Sequence, residues 1–306
     1  MAKEGQVESI KASIITFANI KGGVGKTTAV VNLAYLLATE LGKRVLVVDS
    51  DDQGNASKAL GVRSFDDDQE RNLWTALENK LGYKRVMIES PYEGIAVIPS
   101  TKELKSAQLA FGQSARGMKM FRRLLKGVER DFDYVLIDTK PQINILLQAA
   151  LVASDWYVVP SFPESDSYDG FVDLISECEE IYEEENEDLN CLGVLFTNYK
   201  KSPAHEAYIE FIGKHLKKAK VPVFKTKIRH SNSVATGSLH SCPAVSMSSS
   251  RNTSDDYLEV ARQLNRMASG KNNPQRPVLE VLGISEDSQG TSLFNIVEAH
   301  HQEIRF

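Results

Sequence analysis

The stretch from Asn19 to Thr28, NIKGGVGKTT, has the composition of a phosphate-binding loop. Glycines let the backbone turn so tightly that successive N–H groups can point at phosphate oxygens, and a helix starting near Lys26 would add the positive end of its dipole. Lys26 is expected to reach the β and γ phosphates, Thr27 to bind Mg²⁺ and Thr28 to bond the α phosphate. The full set of predicted nucleotide-binding residues is Gly22, Gly23, Val24, Gly25, Lys26, Thr27 and Thr28.

The stretch departs from the usual pattern, GxxxxGK followed by Ser or Thr, because Ile20 stands where the pattern has its first glycine. Ile20 is followed at once by a second lysine, Lys21. A glycine-rich turn without a ligand is the alternative interpretation of the stretch, and a solvated loop lysine is the alternative for Lys21. The strand predicted before the stretch, the helix predicted after it and its GKT ending favour nucleotide binding.

Aspartates follow two of the predicted strands. Asp138 ends the apolar run YVLID and fits a magnesium role, while Asp49 and Asp51 end RVLVVDSD, and one of them could orient the attacking water. Open parallel sheets bind ligands at the carboxyl ends of their strands, so these carboxylates are expected near the loop. One such aspartate is often only a helix cap or turn residue. Together with the loop, they predict phosphoryl chemistry.

The chain alternates apolar runs with amphipathic stretches. Strands are predicted at 13–18, 44–49, 94–98, 134–138, 156–159, 191–197 and 221–224, and helices at 27–41, 101–111, 115–130, 143–153, 168–185, 203–219 and up to about 268, with Thr253 and Asp256 as a capping pair. This alternation predicts an α/β fold, doubly wound, with a mostly parallel sheet and helices on both faces, as in P-loop NTPases. Residues 1–12 are a short polar segment, 13–268 one domain, and 269–306 a C-terminal extension of open role.

Composition excludes several classes of protein. No run of about 18 apolar residues exists, so no membrane span is predicted, and the C-terminal end fits a membrane-binding amphipathic helix poorly. Cys178, Cys191 and Cys242 show no CxxC spacing and follow no secretory signal, which indicates a reduced, cytoplasmic setting. The absence of cysteine before Cys178 argues against an iron–sulfur redox protein.

Charge is unevenly distributed along a chain of net charge −5. Residues 164–188 contain twelve acidic residues and no lysine or arginine, whereas residues 200–229 contain nine lysine and arginine residues against two glutamates. The basic stretch is a candidate polyanion surface, and the alternative is a solvated face that balances the acidic helix. The candidate DNA-binding residues are Lys200, Lys201, Lys214, Lys217, Lys218, Lys227 and Arg229.

The motifs KGGVGKTT, VVDSDDQGNAS and FDYVLIDTKP, in this order and spacing, resemble those of the ParA/MinD family of ATPases with a deviant Walker A loop. The likeness continues through IPSTKEL, DWYVVPSFPESDSYDGF and TKIRHSNSV, covers about residues 12–268, and is greatest to the ParA branch. The resemblance implies ATP and Mg²⁺ as cofactors. It also implies that Lys21 crosses a dimer interface to the other subunit's ATP, that Asp51 positions the water, and that Asp138 is the Walker B aspartate; Lys21, Lys26 and Asp51 would be the catalytic residues.

The same resemblance implies a switch that forms a homodimer on ATP, binds double-stranded DNA non-specifically in the cytoplasm at the nucleoid, and positions a plasmid or chromosome. A ParB-like partner would stimulate hydrolysis. A protein cargo, or a biosynthetic ligase or amidase built on a related fold, are the alternatives. Two departures affect the expected hydrolysis rate: Asp52 and Lys140 stand where the family usually has proline. Lys140 is interpreted as a loop salt bridge or as a cation near the γ phosphate.

Overall fold

A seven-stranded sheet forms the centre of the computed structural model, which describes residues 11–62, 70–112, 114–164, 168–247, 251–269 and 277. Its strands lie in the order β3-β4-β2-β5-β1-β6-β7, and every pair is parallel except β3 with β4. The predicted mostly parallel sheet is therefore confirmed. The strands are β1 (Ser13–Phe17), β2 (Val45–Asp49), β3 (Ile88–Glu89), β4 (Ile95–Ile98), β5 (Tyr134–Asp138), β6 (Trp156–Ser161) and β7 (Asn190–Phe196).

Helices cover both faces of the sheet. Along β2, Val45 and Val47 pack into an apolar cluster with α1 and α11, whereas Leu46 and Val48 pack into a second cluster with α3, α6 and α7. Both faces are thus buried, which is why these strands are apolar throughout. The helices are α1 (Lys26–Thr39), α2 (Asn55–Ala59), α3 (Leu73–Glu78), α4 (Ala107–Phe111), α5 (Ala115–Met118), α6 (Met120–Leu124), α7 (Ile145–Ala153), α8 (Tyr168–Glu184), α9 (Pro203–Lys218), α10 (Asn232–His240) and α11 (Arg251–Ser269).

Three predicted elements are divided or reduced in the structure. The stretch 101–111 forms a 3-10 helix, Lys102–Ser106, followed by α4. The stretch 115–130 forms α5, α6 and a 3-10 turn rather than one helix, and Gly127, in the left-handed conformation at φ 82°, separates α6 from that turn. The predicted strand 221–224 makes only an isolated bridge between Val194 and Val223. Pro222 lies in the middle of that stretch and has no N–H to donate to a ladder.

Several short elements were not predicted: α2, α3, α10 and the two-residue β3. α3 depends on Asn72, whose side chain accepts a hydrogen bond from the backbone N–H of Thr75. The predicted capping role of Thr253 and Asp256 is wrong, because α11 already includes Arg251. Asp256 instead accepts hydrogen bonds from the backbone and side chain of Arg229.

The predicted terminal segments lie largely outside the described residues. These are 1–10 of the N-terminal segment, and 270–276 and 278–306 of the C-terminal extension. The predicted domain boundaries at residues 12 and 269 stay predictions. Within the described part of the chain, no helix is both long and apolar enough to cross a membrane.

Candidate nucleotide-binding site

The glycine-rich stretch connects the end of β1 to the start of α1 as a tight loop. Gly23 and Gly25 adopt left-handed backbone conformations, at φ 75° and 83°, which residues with a side chain rarely adopt. The hydroxyl of Thr197 donates a 2.8 Å hydrogen bond to the carbonyl of Val24 and fixes the loop against the end of β7. The predicted strand, loop and helix unit is therefore present, and Lys26 is the first residue of α1.

The ammonium of Lys26 lies inside this loop. Its Nζ donates hydrogen bonds to the backbone carbonyls of Asn19 at 2.9 Å and Lys21 at 3.1 Å. Burial lowers the pKa of Lys26 to about 8, although the nearby carboxylates of Asp138 and Asp51 oppose that shift. A buried cation at the start of a helix is well suited to bind an anion, because the anion would replace the water that the ammonium has lost.

Asp49 and Asp138 lie opposite one another in the register of the adjacent strands β2 and β5. Asp49 is completely buried and accepts hydrogen bonds from the backbone N–H and the hydroxyl of Ser57, at 2.8 and 2.7 Å. Burial raises the pKa of Asp49 to about 6. Because Ser57 belongs to α2, the Asp49 side chain holds that helix against the sheet edge, which leaves Asp51 as the candidate for positioning water.

Asp138 is also completely buried, and neither of its carboxylate oxygens has a hydrogen-bond partner among the described residues. Burial and then the charge of Asp49 raise the pKa of Asp138 well above its usual value, and the nearby Thr27 hydroxyl opposes the rise without forming a hydrogen bond of normal geometry. A buried carboxylate without a partner is costly unless a cation compensates it. Oxygen ligands of this type, next to the Thr27 hydroxyl, fit Mg²⁺.

Asp51 follows β2 at the same edge of the sheet and is half-buried. Its Oδ1 accepts a hydrogen bond from the backbone N–H of Gln53 at 3.1 Å, and its carbonyl accepts from the Gly54 N–H at 2.9 Å and from the Ser100 hydroxyl. The Asp51 backbone N–H donates to Oδ1 of Asp49 at 3.3 Å, and the charge of Asp51 acts on the pKa of both Lys26 and Asp138. The structure therefore brings together the loop lysine and the two aspartates that the sequence predicted.

Lys21 has a different environment from Lys26. Its backbone N–H donates to the side chain of Asn19 at 2.9 Å, and Asn19 in turn donates to the carbonyl of Pro160 at 2.8 Å. The Lys21 ammonium lies 3.7 Å from a carboxylate oxygen of Glu164, and 22% of the lysine side chain is exposed. Within one chain the Lys21 side chain is thus partly exposed beside the loop, and its role across a dimer interface stays a prediction.

Asp52 and Lys140, the two residues that depart from the family motif, contact each other. The ammonium of Lys140 lies 2.5 Å from Oδ2 of Asp52 and donates a hydrogen bond to it. Burial tends to raise the pKa of Asp52, but hydrogen bonds from Lys140 and Gln53 outweigh it and lower that pKa. Of the two interpretations of Lys140, the salt bridge is the one present.

Asn32 is a buried polar residue near the loop that the sequence analysis did not single out. Its amide donates to the carbonyl of Thr28 at 2.7 Å and accepts from the backbone N–H of Val245 at 3.0 Å. It thereby joins the first turns of α1 to the segment before α11, and a lone asparagine in the apolar run AVVNLA is the signal that could have revealed it.

A cleft of about 330 Å³ opens beside Thr27 and Thr28; it is also lined by Asn32, Asn55, Lys58 and Cys242.

Comparisons with known proteins agree with this geometry. The sequence profile of a family described as an AAA domain matches residues 12–191. The sporulation initiation inhibitor protein Soj of Bacillus subtilis is 31% identical over 252 residues, which are 82% of this chain and 97% of Soj. The chromosome-partitioning ATPase Soj of Thermus thermophilus is 36% identical over 189 residues, which are 62% of this chain and 70% of that protein.

A solved structure shares the fold and carries the expected cofactors. Cobyrinic acid a,c-diamide synthase of Mycobacterium smegmatis, with a bound ATP analogue and magnesium, superposes with a TM-score of 0.73 at 25% identity, covering 87% of this chain and 98% of that one. The profile match covers more than half of the chain, and the match to Bacillus subtilis Soj covers nearly the whole relative. This chain therefore belongs to the ParA/MinD family of ATPases with a deviant Walker A loop, which act on ATP with Mg²⁺.

Proposed function

We propose that this ATPase is a switch that dimerises on ATP, binds double-stranded DNA without sequence preference, and positions or segregates a plasmid or chromosome. A ParB-like partner stimulates its hydrolysis. The observation that carries the proposal is the similarity to Soj along 97% of the Bacillus subtilis protein, together with the name of the Thermus thermophilus relative, a chromosome-partitioning ATPase. The proposal places the protein in the cytoplasm, associated with the nucleoid.

The proposal that the protein dimerises on ATP rests on the position of Lys21. A γ phosphate adds negative charge to a site that already contains Asp49, Asp51 and Asp138 on one side of the nucleotide, so a second cation from a facing subunit would lower the repulsion. The Lys21 side chain is partly exposed beside the phosphate loop and is paired with Glu164, itself 49% exposed. A ligand that binds the dimer better than the monomer shifts the equilibrium toward the dimer.

Replacing Lys21 by alanine is expected to leave ADP affinity within about threefold of the native value and to abolish the ATP-dependent dimer. The substitution removes the ammonium but keeps the backbone groups of residue 21, which hold Lys26 and Asn19. Loss of a charge-assisted contact on each side of a symmetric dimer costs about 3 to 6 kcal/mol in total, or at least a hundredfold in dimer affinity. Sedimentation velocity with ATP and with ADP measures the fractions of monomer and dimer.

The matched control for this experiment is Lys84→Ala. This substitution also removes one ion pair, which Lys84 forms with Asp131 at 2.6 Å. Asp131 precedes β5 and therefore lies at the amino edge of the parallel sheet, opposite the phosphate loop. This control should dimerise on ATP as the native protein does. A Lys21→Ala protein that still dimerised normally on ATP would remove Lys21 from the interface.

Four of the seven candidate DNA-binding residues form two groups at opposite ends of α9. The carboxyl-edge lysines, Lys200 and Lys201, precede α9 next to the end of β7, whereas the helix-end lysines, Lys217 and Lys218, lie in its last turn. A helix of 16 residues is about 24 Å long, so one contact point cannot include both groups. All four side chains belong to exposed residues and form no ion pair within the described part of the chain.

The other three candidates have partners in their own chain. Lys214 pairs with Glu210 at 2.8 Å one turn earlier in α9, and Lys227 lies 3.4 Å from Glu206 and 4.7 Å from the centre of the Tyr199 ring. Arg229 pairs with Asp256 at 2.7 Å and also donates to the carbonyl of Asn252, so it joins the end of the sheet to α11. We therefore infer that the carboxyl-edge and helix-end lysines contribute more to DNA affinity than Arg229 does.

DNA binding is expected to need ATP and to be strongly salt-dependent. Fluorescence anisotropy with a random duplex should show binding with ATP but not with ADP, and four phosphate contacts would weaken it about a hundredfold between 50 and 200 mM salt. Lys200→Glu/Lys201→Glu and Lys217→Glu/Lys218→Glu should each lower affinity at least tenfold and reduce the salt slope by about two.

Lys80→Glu/Lys84→Glu makes the same charge change on exposed residues before β3 and serves as the control for net charge. Its effect on DNA affinity should be small and equal at both salt concentrations. If neither lysine pair affected binding more than this control, the basic stretch would be only a solvated surface. If the native protein bound no DNA with either nucleotide, the cargo would have to be held on a protein scaffold instead.

A biosynthetic ligase or amidase is the second candidate, because the chain superposes closely on cobyrinic acid a,c-diamide synthase. Such an enzyme needs a pocket for a second substrate beside the phosphates and has no need of ATP to dimerise. The cleft of about 330 Å³ begins at Thr27 and Thr28 and is in the right place for part of a nucleotide. Dimerisation that is independent of ATP, with no affinity for DNA, would favour this candidate.

A further inference from the structure

Two loops leave adjacent strands at the carboxyl edge of the sheet. Residues 50–54 follow β2 and residues 139–144 follow β5, and the last residues of these strands, Asp49 and Asp138, lie opposite one another. At their base the loops are joined by Ser50, whose backbone N–H and hydroxyl both donate to the carbonyl of Asp138, at 3.0 and 2.6 Å. Asp51 comes immediately after this junction.

One residue beyond Asp51, the two loops are joined again by the Asp52–Lys140 pair. Only 2% of the Asp52 side chain is exposed, and each of its carboxylate oxygens has a donor: Lys140 at 2.5 Å and the side-chain amide of Gln53 at 2.6 Å. The Lys140 side chain is 35% exposed. A buried carboxylate with both oxygens bonded is held in one orientation, since any other position would leave its charge unpaired.

Asp51 is thereby held from both sides, since Ser50 binds the last residue of β5 and Asp52 binds the loop that follows it. That loop also lies against the phosphate loop, because a side chain on Gly22 would come within 3.9 Å of the Pro141 ring. Pro141 directly follows Lys140. The position of Asp51 relative to the phosphate loop therefore depends on the loop that Lys140 joins to it.

We propose that Asp52 and Lys140 are positioning residues for ATP hydrolysis, whose ion pair holds the Asp51 carboxylate where it can orient the attacking water. The inference rests on the role proposed for Asp51. In this role neither residue needs to contact ATP, because both act through the backbone of the Asp51 loop. A displacement of about 1 Å in a catalytic group can cost about a hundredfold in rate, so a restraint of this kind can have a large effect on kcat.

Replacing Lys140 and replacing Asp52 have different consequences for the residue that remains. Lys140→Met leaves the buried Asp52 carboxylate without its cation, which destabilises the fold as well as the loop. Asp52→Asn keeps the shape of the side chain. Lys140, which is 35% exposed in the native protein, can then turn its ammonium toward water. Asp52→Asn is therefore the primary variant, and Lys140→Arg, which keeps the charge and a donor to Asp52, is its conservative counterpart.

The test measures kcat and KM for ATP, in steady state and in a single turnover, together with the affinity for a fluorescent ADP analogue. Asp52→Asn and Lys140→Met should each lower kcat about tenfold to hundredfold, with KM and ADP affinity within threefold of native. The double variant should be no slower than the slower single variant, because both changes remove the same contact. Lys140→Arg should keep kcat within about threefold of native.

Lys84→Met, which breaks the pair of similar length with Asp131 at the other edge of the sheet, should leave kcat unchanged. A native kcat in Asp52→Asn, or single-variant effects that multiply in the double variant, would overturn the proposal. If Lys140→Met failed to fold, Asp52→Asn and Lys140→Arg would still decide it. An inactive Asp51→Asn beside a fully active Asp52→Asn would refute only the positioning role, whereas an active Asp51→Asn would refute the role of Asp51 itself.

Discussion

Lys26→Ala is expected to lower the affinity for ADP and ATP at least about a hundredfold. The Lys26 ammonium is the buried cation of the phosphate loop, and its charge-assisted hydrogen bonds to phosphate are worth about 3 kcal/mol, which corresponds to that factor. The substitution also leaves the carbonyls of Asn19 and Lys21 without this donor and removes a cation that favours the charged form of Asp138. Titration with a fluorescent ADP analogue measures the affinity directly.

The nucleotide-dependent rise in Tm provides an independent readout for Lys26→Ala. Ligand present at a hundredfold over its Kd stabilises a folded protein by about 2.7 kcal/mol, and this gain should be absent in the variant. Lys84→Ala again serves as the control, with the native shift in Tm. A folded Lys26→Ala protein that bound ADP within about threefold of native would contradict the assignment of the loop as a phosphate site.

Asp51→Asn is expected to lower kcat about a hundredfold to a thousandfold and to leave ATP affinity unchanged. Asparagine keeps an oxygen that can accept the hydrogen bond from the Gln53 backbone, so the loop retains its shape, but it cannot accept a proton from, or orient, the attacking water as a carboxylate does. Because hydrolysis reverses the ATP-dependent state, the proposed dimer should accumulate. Single-turnover hydrolysis and sedimentation velocity with ATP measure the two effects.

Asp133→Asn is the matched control for Asp51→Asn. Asp133 also binds a backbone N–H, that of Arg44 at 2.8 Å, but it precedes β5 at the amino edge of the sheet. Its hydrolysis rate should equal that of the native protein. Native turnover in Asp51→Asn would assign the orientation of water to a group other than Asp51 and Asp49, because the Asp49 carboxylate already accepts hydrogen bonds from Ser57 and from the Asp51 backbone N–H.

The phosphate loop and the central strands could be predicted from the sequence because their signals are local. Glycines at positions that need left-handed backbone, followed by GKT at a helix start, specify the loop within ten residues. β2 and β5 are apolar throughout because both faces of the sheet are covered, and such runs are visible without any partner strand. The family resemblance assigned roles to Lys21, Asp51 and Asp138 beyond what those patterns show.

The short elements could not be predicted, since their causes lie outside them. α2 has five residues, too few to show a helical period, and it is held by the bonds between Ser57 and Asp49. Polar pairs between residues far apart in the chain could not be predicted either. The sequence predicts Arg229 as a DNA-binding residue but does not show that it pairs with Asp256. It predicts Thr253 as a cap, whereas α11 already includes Arg251.

Sequence by itself determined the chemistry of this protein: a phosphate loop with its lysine and threonines, and aspartates at strand ends, on an α/β scaffold. Only the tertiary structure decided how those groups are held. It placed Asp138 in a buried position where no described residue donates a hydrogen bond to it, paired Asp49 with Ser57, and joined Asp52 to Lys140 across 88 residues of chain. Such contacts depend on which strands become neighbours, and that order follows from burying the whole sheet rather than from any local pattern.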